Sequence, residues 1–160
     1  MAKVKIDIGG LRRRLKTIQK EWQKEASRTA KPILKKAIID EHILRGKSPV
    51  QGGGRFEKYS IAYRNQIRNR LASFGKRVTP VNLKLSGQML STFFVKKVSK
   101  GVEVGFSDDI AEYHNNGDGN LPERRLLPTR TAERFNRDIN RTIKGWLESA
   151  LKKAIARRGR

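Results

Sequence analysis

The sequence lacks cysteine and contains only two histidines, His42 and His114. The absence of cysteine excludes disulfides, thiolate zinc sites and cysteine nucleophiles. A histidine-based metal site would need carboxylates to complete its ligand set. The sequence also lacks a run of about 18 apolar residues and a short apolar stretch behind a basic N-terminus, so we expect neither a membrane span nor a secretory signal.

Positive charge is abundant. The 37 Lys and Arg residues oppose 15 Asp and Glu residues, which gives a formal net charge of +22. A small domain needs a net charge of only about 2 to 8 for solubility. Residues 1–36 and 124–160 each carry twelve basic and three acidic side chains, whereas residues 37–123 carry thirteen and nine. The excess predicts a polyanion or an acidic protein surface as partner, with a merely solvated cationic surface as the alternative.

The N-terminal part predicts a strand and a helix. Residues 3–8, KVKIDI, alternate apolar and polar side chains, as in a short half-buried strand. Apolar residues then recur at spacings of four and three, which is typical of an amphipathic helix. These are Leu11, Leu15, Ile18, Trp22 and Ala26, with Arg13, Lys16, Lys20 and Lys24 on the opposite face. Because Pro32 falls within this pattern, we expect a kink or a restart there.

Residues 45–55, RGKSPVQGGGR, predict a mobile loop. The glycines invite comparison with a phosphate-binding loop, but Pro49 follows the GKS tripeptide and no apolar strand precedes it. We therefore interpret the segment as a docking loop that a neighbouring protein orders.

The segment after this loop predicts a short helix. Tyr59, Tyr63, Ile67 and Leu71 lie four residues apart, and Arg64, Arg68 and Arg70 are expected to point outward. Tyrosines beside arginines are also found where proteins stack on bases. At helical spacing, however, core tyrosines are the more frequent case.

A hairpin and a long helix follow. STFFVKKV and VEVGF flank the turn SKG, which is typical of a β-hairpin. Pro128 and Thr129 are expected to open a helix that ends near Arg157, and Gly145 weakens it without ending it. Its apolar stripe would comprise Ala132, Phe135, Ile139, Ile143, Trp146 and Ala150, opposite a basic ladder of Arg130, Arg134, Arg137, Arg141 and Lys144.

These patterns together predict an α+β fold. A small antiparallel β-sheet would lie with a long N-terminal amphipathic helix, kinked near Pro32, and a long C-terminal helix. Residues 1–160 would form a single domain with the docking loop 45–55 and a basic tail, 156–160.

The segment DDIAEYHNNGDGNLPERRLLPT, residues 108–129, is the strongest candidate for chemistry. His114 beside Asn115, Asn116 and Asp118 superficially resembles an HNH-type nuclease or a metal-binding loop. Yet His42 is 72 residues upstream, and the acids do not follow the calcium-loop spacing. Asn116-Gly117 and Asp118-Gly119 are turn-forming pairs, and Leu121, Leu126 and Leu127 are expected to return the chain to the core. We therefore expect a structural connection in which His114 makes hydrogen bonds, with nuclease activity as the alternative.

The order of several motifs resembles the virion morphogenesis and tail-completion proteins of tailed bacteriophages. LKLSGQML, residues 83–90, precedes the hairpin, AEYHNNG follows it, and PERRLLP leads into the last helix. Ser86 and Gly87 match the first motif, Ala111, His114 and Gly117 the second, and Pro122, Arg124, Leu127 and Pro128 the third. Arg125 and Leu126 stand where the family usually has proline and phenylalanine.

The resemblance implies a virion structural protein without enzymatic activity and without cofactor or metal. It would form a ring, a hexamer or dodecamer, in the neck or at the tail end, after assembly in the host cytoplasm. Its partners would be portal or adaptor proteins and terminal tail-tube proteins, with non-specific contact to packaged DNA and none to a membrane. The alternative is a stand-alone basic protein that binds nucleic acid.

The resemblance and the charge pattern together give candidate contact residues. Those for a neighbouring subunit are Arg45, Lys47, Gly52, Gly53, Gly54, Arg55, Tyr113, His114, Asn116, Gly117, Arg124 and Arg125. Those facing a DNA channel or an acidic partner are Arg130, Arg134, Arg137, Arg141 and Lys144.

Overall fold

The structure, a computed structural model, describes residues 9–71, 78–83, 87–98, 101–118 and 121–157. It confirms the α+β class, with two long helices and a two-stranded antiparallel sheet. The strand predicted over residues 3–8 lies outside the described residues, as does most of the basic tail.

The N-terminal helix, α1, spans Gly9–Lys35 and is long and amphipathic, as predicted. It contains Pro32, whose ring is exposed, and a π-helical turn continues it over Lys36–Asp40. A proline removes one backbone hydrogen bond and a π turn widens the helix, which are two recognised causes of bending. The bent helical region ends in a short 3₁₀ turn at Ile43–Arg45.

A short helical region follows the glycine-rich loop. Helix α2 spans Ile61–Gln66, a π-helical turn over Ile67–Leu71 continues it, and the Ser60 hydroxyl caps its start. Tyr59 lies before the helix and is buried, so the interpretation as a core residue is confirmed. The arginines at 68 and 70 are exposed as predicted, whereas Arg64 is half-buried and its Nε is covered.

The hairpin is present where the sequence predicts it. Strand β1, Phe93–Val98, follows the short helix α3, Gln88–Ser91, and pairs antiparallel with strand β2, Gly101–Phe106. The register places Phe94 opposite Gly105, where the phenyl ring occupies the space a Cβ would need.

The last helix starts later than predicted. Helix α5 spans Arg137–Ala156, and the side chain of Asn136 caps it by accepting the backbone N–H of Ile139. Residues 128–136 form an irregular segment instead, because the Glu133 carboxylate accepts the N–H groups of Thr129 and Arg130 and holds a turn there. The predicted basic ladder is therefore shortened to its last three members, since Arg130 and Arg134 precede the helix.

Helices α1 and α5 pack along each other and form the main core. Trp22 Nε1 donates to the Leu147 carbonyl oxygen at 3.2 Å, and Trp146 Nε1 donates to Thr29 Oγ1 at 2.9 Å. Buried alanines between the helices allow close approach. They are Ala26, Ala30, Ala150 and Ala154.

The loop over residues 45–55 makes hydrogen bonds within the chain, and its ordering by a neighbouring protein stays a prediction. The Ser48 N–H donates to the Gly54 carbonyl at 2.9 Å, and the Gln51 N–H donates to the Arg134 carbonyl at 2.8 Å. A Cβ on Gly53 would lie 2.2 Å from Ser48 Oγ, so glycine permits a tight turn here. These bonds attach the loop to its own chain without a neighbour.

The connection after the hairpin is partly helical, in contrast to the predicted loop. Helix α4 spans Asp109–Asn116, and the Asp108 carboxylate caps it by accepting the Ile110 N–H at 3.0 Å. The helix ends at Gly117, whose φ is 74°. A turn at Asn116-Gly117 is thus confirmed, but the two helical turns before it were not predicted.

Candidate functional site

The candidate site is built on the contact between α4 and the extended segment 121–127. The Arg124 N–H donates to the His114 carbonyl oxygen at 2.6 Å. A Cβ on Gly117 would meet the backbone nitrogen of Glu123 at 3.0 Å, so this approach needs a glycine that also tolerates positive φ. The His-x-x-Gly and Pro-x-Arg motifs are therefore neighbours in the fold.

The buried side chain of Asn115 holds α4 and the segment 121–127 together through hydrogen bonds. It is buried, its Oδ1 accepts the N–H groups of Leu126 at 2.7 Å and Leu127 at 3.0 Å, and its Nδ2 donates to Thr129 Oγ1 at 2.8 Å. This role of Asn115 was not predicted from the sequence. The available signal was the spacing of four from Ala111, which places both residues on the inward face of a helix.

Arg124 carries the unusual electrostatics of the site. Its side chain is buried, with the residue only 3% exposed, and the guanidinium carbon lies 5.4 Å from the centroid of the Tyr59 ring. Nη1 lies 3.4 Å from His114 Nδ1, and Nη2 donates to the Glu57 carbonyl oxygen at 3.4 Å. Because a guanidinium only donates, His114 Nδ1 is the acceptor.

The buried guanidinium lacks an ion-pair partner within the described chain. Among the described residues, its Nε has no hydrogen-bond partner, and no carboxylate lies within 4.0 Å of the guanidinium. Burial lowers the pKa of Arg124, and the charge of Glu57 opposes that shift only in part. Burial also raises the pKa of Tyr59 to about 12. A buried cation without a carboxylate is costly, so an incoming anion would be stabilised here.

Arg124 lies in the wall of a groove of about 1000 Å³ between α2, α3, α4 and the segment 121–124. Two apolar side chains at its edge, Ile110 and Leu121, are 49% and 39% exposed. The groove is lined by Glu57, Lys58, Tyr59, Ser60, Tyr63, Leu83, Gly87, Gln88, Met89, Asp108, Ile110, His114, Leu121, Pro122 and Arg124. An apolar rim around a buried cation is suited to a peptide that carries both an apolar and an acidic side chain.

The described residues include no metal-binding cluster of three or more His, Asp or Glu side chains. His42 is buried, and its Nδ1 lies 2.6 Å from the Ala37 carbonyl oxygen, to which it donates. His114 is held by Arg124 as described above. Within the described ranges, no helix is long and apolar enough to cross a membrane.

The predicted subunit-contact residues divide between two places. His114 and Arg124 line the groove, and Arg124 is buried in its wall, whereas Gly117 ends α4 beside it. Tyr113 and Asn116 are exposed on α4 beside the groove. Leu121 is at the rim, not in the core as predicted, whereas Leu126 is buried as predicted.

The residues predicted in the glycine-rich loop lie elsewhere. The loop attaches to segment 125–136, where Ser48 Oγ donates to the Arg125 carbonyl oxygen at 2.6 Å. Arg125 itself pairs with Glu133 at 3.4 Å and is mostly covered. The exposed members of this set are Arg45, Lys47, Gly52, Gly54 and Arg55, and Gly53 is half-buried.

The predicted DNA-facing residues are all exposed, but most have an acidic neighbour. Arg130 pairs with Glu123 at 3.0 Å. Arg141 lies 3.8 Å from Asp138, and Lys144 lies 4.0 Å from Glu148. Exposed pairs of this kind contribute little to stability, but they reduce the net positive charge of the α5 surface.

A second cavity, of about 300 Å³, lies between α1, α5 and the hairpin. It is lined mainly by apolar side chains, including Trp22, Val102, Val104, Phe135 and Trp146. Few polar groups converge on it, so its lining indicates no specific ligand chemistry.

Comparison of the chain with family models, with curated proteins and with solved structures finds no match.

Proposed function

We propose that the protein is a non-enzymatic structural subunit of a tailed-phage virion. It forms a ring in the neck or at the tail end and links a portal or adaptor protein to the tail tube. The proposal takes its specific content from the motif order, in which the segments around Gly87, His114 and Arg124 occur as in tail-completion proteins.

The observation that carries the proposal is the convergence of these motifs on one groove. Gly87, His114, Pro122 and Arg124 all line it, although they are spread over 38 positions of the sequence from 87 to 124. Residues that share one groove share one function more readily than residues scattered over the surface. One residue or more from each motif therefore lies in the same groove, which supports a shared role for the three motifs.

The groove has the properties of a contact surface for a neighbouring subunit. Its exposed rim, Ile110 and Leu121, offers apolar area, and its wall contains the Arg124 guanidinium, which has no carboxylate within 4.0 Å among the described residues. In a ring, each subunit presents one surface to the next, so a concave site on one copy requires a convex one on its neighbour. We propose that an acidic segment of the adjacent subunit or ring occupies the groove.

The function is tested by removing the gene from a phage genome that encodes this protein and imaging the particles by electron microscopy. We expect filled heads together with unattached or unfinished tails, and restoration of complete particles when the protein is supplied from a plasmid. Normal tailed, infectious particles in its absence would contradict the proposal.

The groove is tested separately with rim variants in the complementing plasmid. Ile110→Ser and Leu121→Ser remove exposed apolar area and should reduce the yield of complete particles without loss of folded protein. Leu151→Ser is the matched control, because Leu151 is 41% exposed on α5, away from the groove. Equal yields from all three variants would exclude the groove as an assembly contact.

A further inference from the structure

Helix α1 carries a continuous stripe of positive charge on its outer face. Six exposed cations follow at spacings of four, four, four, three and four residues. They are Lys16, Lys20, Lys24, Arg28, Lys31 and Lys35. At 3.6 residues per turn they fall within an arc of about 120° and extend along about 28 Å of helix. We call this set the α1 stripe.

The acidic side chains of α1 lie outside the α1 stripe. Helix α1 contains only two acids, Glu21, which is half-buried at the margin, and Glu25, which is buried. Glu25 pairs with Arg28 at 3.0 Å and also with Arg157, which directly follows α5, at 3.2 Å. Among the described residues, none of the five lysines of the stripe lies within 4.0 Å of a carboxylate.

The α1 stripe is therefore more strongly positive than the α5 surface. The outer face of α5 also contains Arg137, Arg141 and Lys144, but Asp138 lies next to Arg141 and Glu148 next to Lys144. The electrostatic potential at a surface is the sum of the contributions of nearby charges of both signs. We therefore expect a more positive potential at the outer face of α1 than at that of α5. The residues predicted from the sequence to face a DNA channel or an acidic partner lie in α5 or just before it.

We propose that the α1 stripe binds the sugar–phosphate backbone of double-stranded DNA without base specificity. A row of cationic side chains along one face of a helix can contact a row of phosphates, and each contact releases a condensed counterion. The inner face of α1 is fixed against α5 by the Trp146 hydrogen bond to Thr29, so the row is presented on a firm support.

The composition of the stripe favours DNA over an acidic protein. Five of its six cations are lysine, which is depleted at protein–protein interfaces, whereas arginine is enriched there. Lysine contacts phosphate as a flexible point charge and does not provide the planar fork that selects carboxylates. The stripe contains no aromatic or amide side chain that would read base edges.

The test compares two triple variants of the full chain that remove the same charge. Lys20→Gln, Lys24→Gln and Lys31→Gln are combined in the first variant. Arg137→Gln, Arg141→Gln and Lys144→Gln are combined in the second, which is the matched control. Binding to two unrelated duplexes of about 20 base pairs, longer than the stripe, is measured by fluorescence anisotropy over a series of salt concentrations.

We expect the unmodified protein to bind both duplexes equally, with an affinity that falls steeply with salt. The first variant should bind on the order of 100-fold more weakly at 0.1 M salt, and the slope of log K against log salt should become shallower by about 2 to 3. The control variant should lose much less affinity for DNA. Circular dichroism and thermal unfolding establish that both variants are folded, as expected for exposed helix-compatible substitutions.

Three outcomes would overturn the proposal. The first is an equal loss in both variants, which indicates a diffuse field without a preferred face. The second is weak binding to DNA with little dependence on salt. The third is binding of polyglutamate as tight as that of DNA and equally reduced in the first variant, which would assign the stripe to an acidic protein. None of these depends on virion assembly, so the result is separate from that of the proposed function.

Discussion

The side-chain oxygen of Asn115 accepts the backbone N–H of Leu126 at 2.7 Å. This bond joins the last turn of α4 to the extended segment that leads toward α5. Asn115 accepts one more backbone N–H and donates to Thr129, so a single buried amide fixes three points of that segment. The position of Arg124 in the groove therefore depends on a residue that does not line the groove itself.

Asn115→Ala should destabilise the protein by about 3 kcal/mol, because it leaves buried N–H groups without acceptors. The free energy of unfolding from urea titration measures the effect. Asn116→Ala is the control, since Asn116 is exposed and its bond to Asp118 is long, at 3.4 Å. A change within about 0.5 kcal/mol is expected for an exposed site of this kind. Similar losses in the two variants would contradict the role of Asn115.

Gly145→Ala should stabilise the protein by up to about 1 kcal/mol, since alanine favours the helical state. Gly145 lies within α5, is exposed, and has no atom within 4 Å of the position that a Cβ would occupy. Gly53→Ala is the opposing control, because its Cβ would overlap Ser48 Oγ at 2.2 Å. The order of melting temperatures should be Gly145→Ala, unmodified protein, Gly53→Ala, and any other order would be inconsistent with the described packing.

Acid should destabilise the fold through two glutamates. The hydrogen bond from Arg28 lowers the pKa of Glu25 against an opposing effect of burial, assisted by the charges of Arg28, Arg157 and Lys153. Burial by itself would raise the pKa of Glu133. Hydrogen bonds from the Arg130 N–H, the Arg125 side chain and the Thr129 N–H outweigh this effect, so the pKa of Glu133 is lowered overall.

Both carboxyl groups are thus protonated less readily in the folded chain than in the unfolded one. Their stabilisation is present above the ordinary pKa of 4.5 and is lost as pH falls through the lowered values. Urea titrations at a series of pH values should show this loss, and Glu25→Gln and Glu133→Gln should each make the pH dependence shallower. An unchanged acid profile in both variants would disprove the assignment.

Tyr59 should titrate late. Because burial raises its pKa to about 12 from 10.0, the folded protein resists its ionisation. Ultraviolet absorbance of tyrosinate, compared between the unmodified protein and Tyr59→Phe, isolates this residue. The difference should appear near pH 12, and the free energy of unfolding should fall as pH rises from about 10 toward 12. A difference that titrates near pH 10 would show that Tyr59 is open to water.

The long helices and the hairpin could be predicted because their apolar residues repeat with a regular period. Trp22 and Ala26 on α1, and Trp146 and Ala150 on α5, are spaced as one helical face requires. The hairpin was evident from its alternating valines. These elements are determined by local patterns, which can be identified in the sequence without a structure.

The start of α5 and the helical form of α4 could not be predicted in the same way. Ala132 and Phe135 continue the apolar spacing of α5, but Glu133 closes a turn and Phe135 pairs with Val50 of a distant loop. These interactions are tertiary contacts, and they override the local helix propensity of residues 132–135. For α4, the asparagines that indicate a turn occupy its last two positions, and Asn115 is directed inward.

The sequence predicted which segment forms the candidate site but not how its side chains are arranged in space. His114 and Arg124 were identified by motif, whereas the burial of Arg124 and its stacking on Tyr59 depend on contacts across 65 positions of the chain. A charged side chain is expected at the surface unless a partner is known. Nothing in the local sequence of Arg124 indicates that its guanidinium is enclosed.

The reciprocal tryptophan bonds between α1 and α5 have a consequence for biosynthesis. Trp22 and Leu147 are 125 positions apart, so the apolar face of α1 emerges from the ribosome long before the helix that covers it. Until α5 is made, the part of that face that α5 covers lacks its partner and can contact water and chaperones. The contact between α1 and α5 can therefore form only after the C-terminal helix has been synthesised.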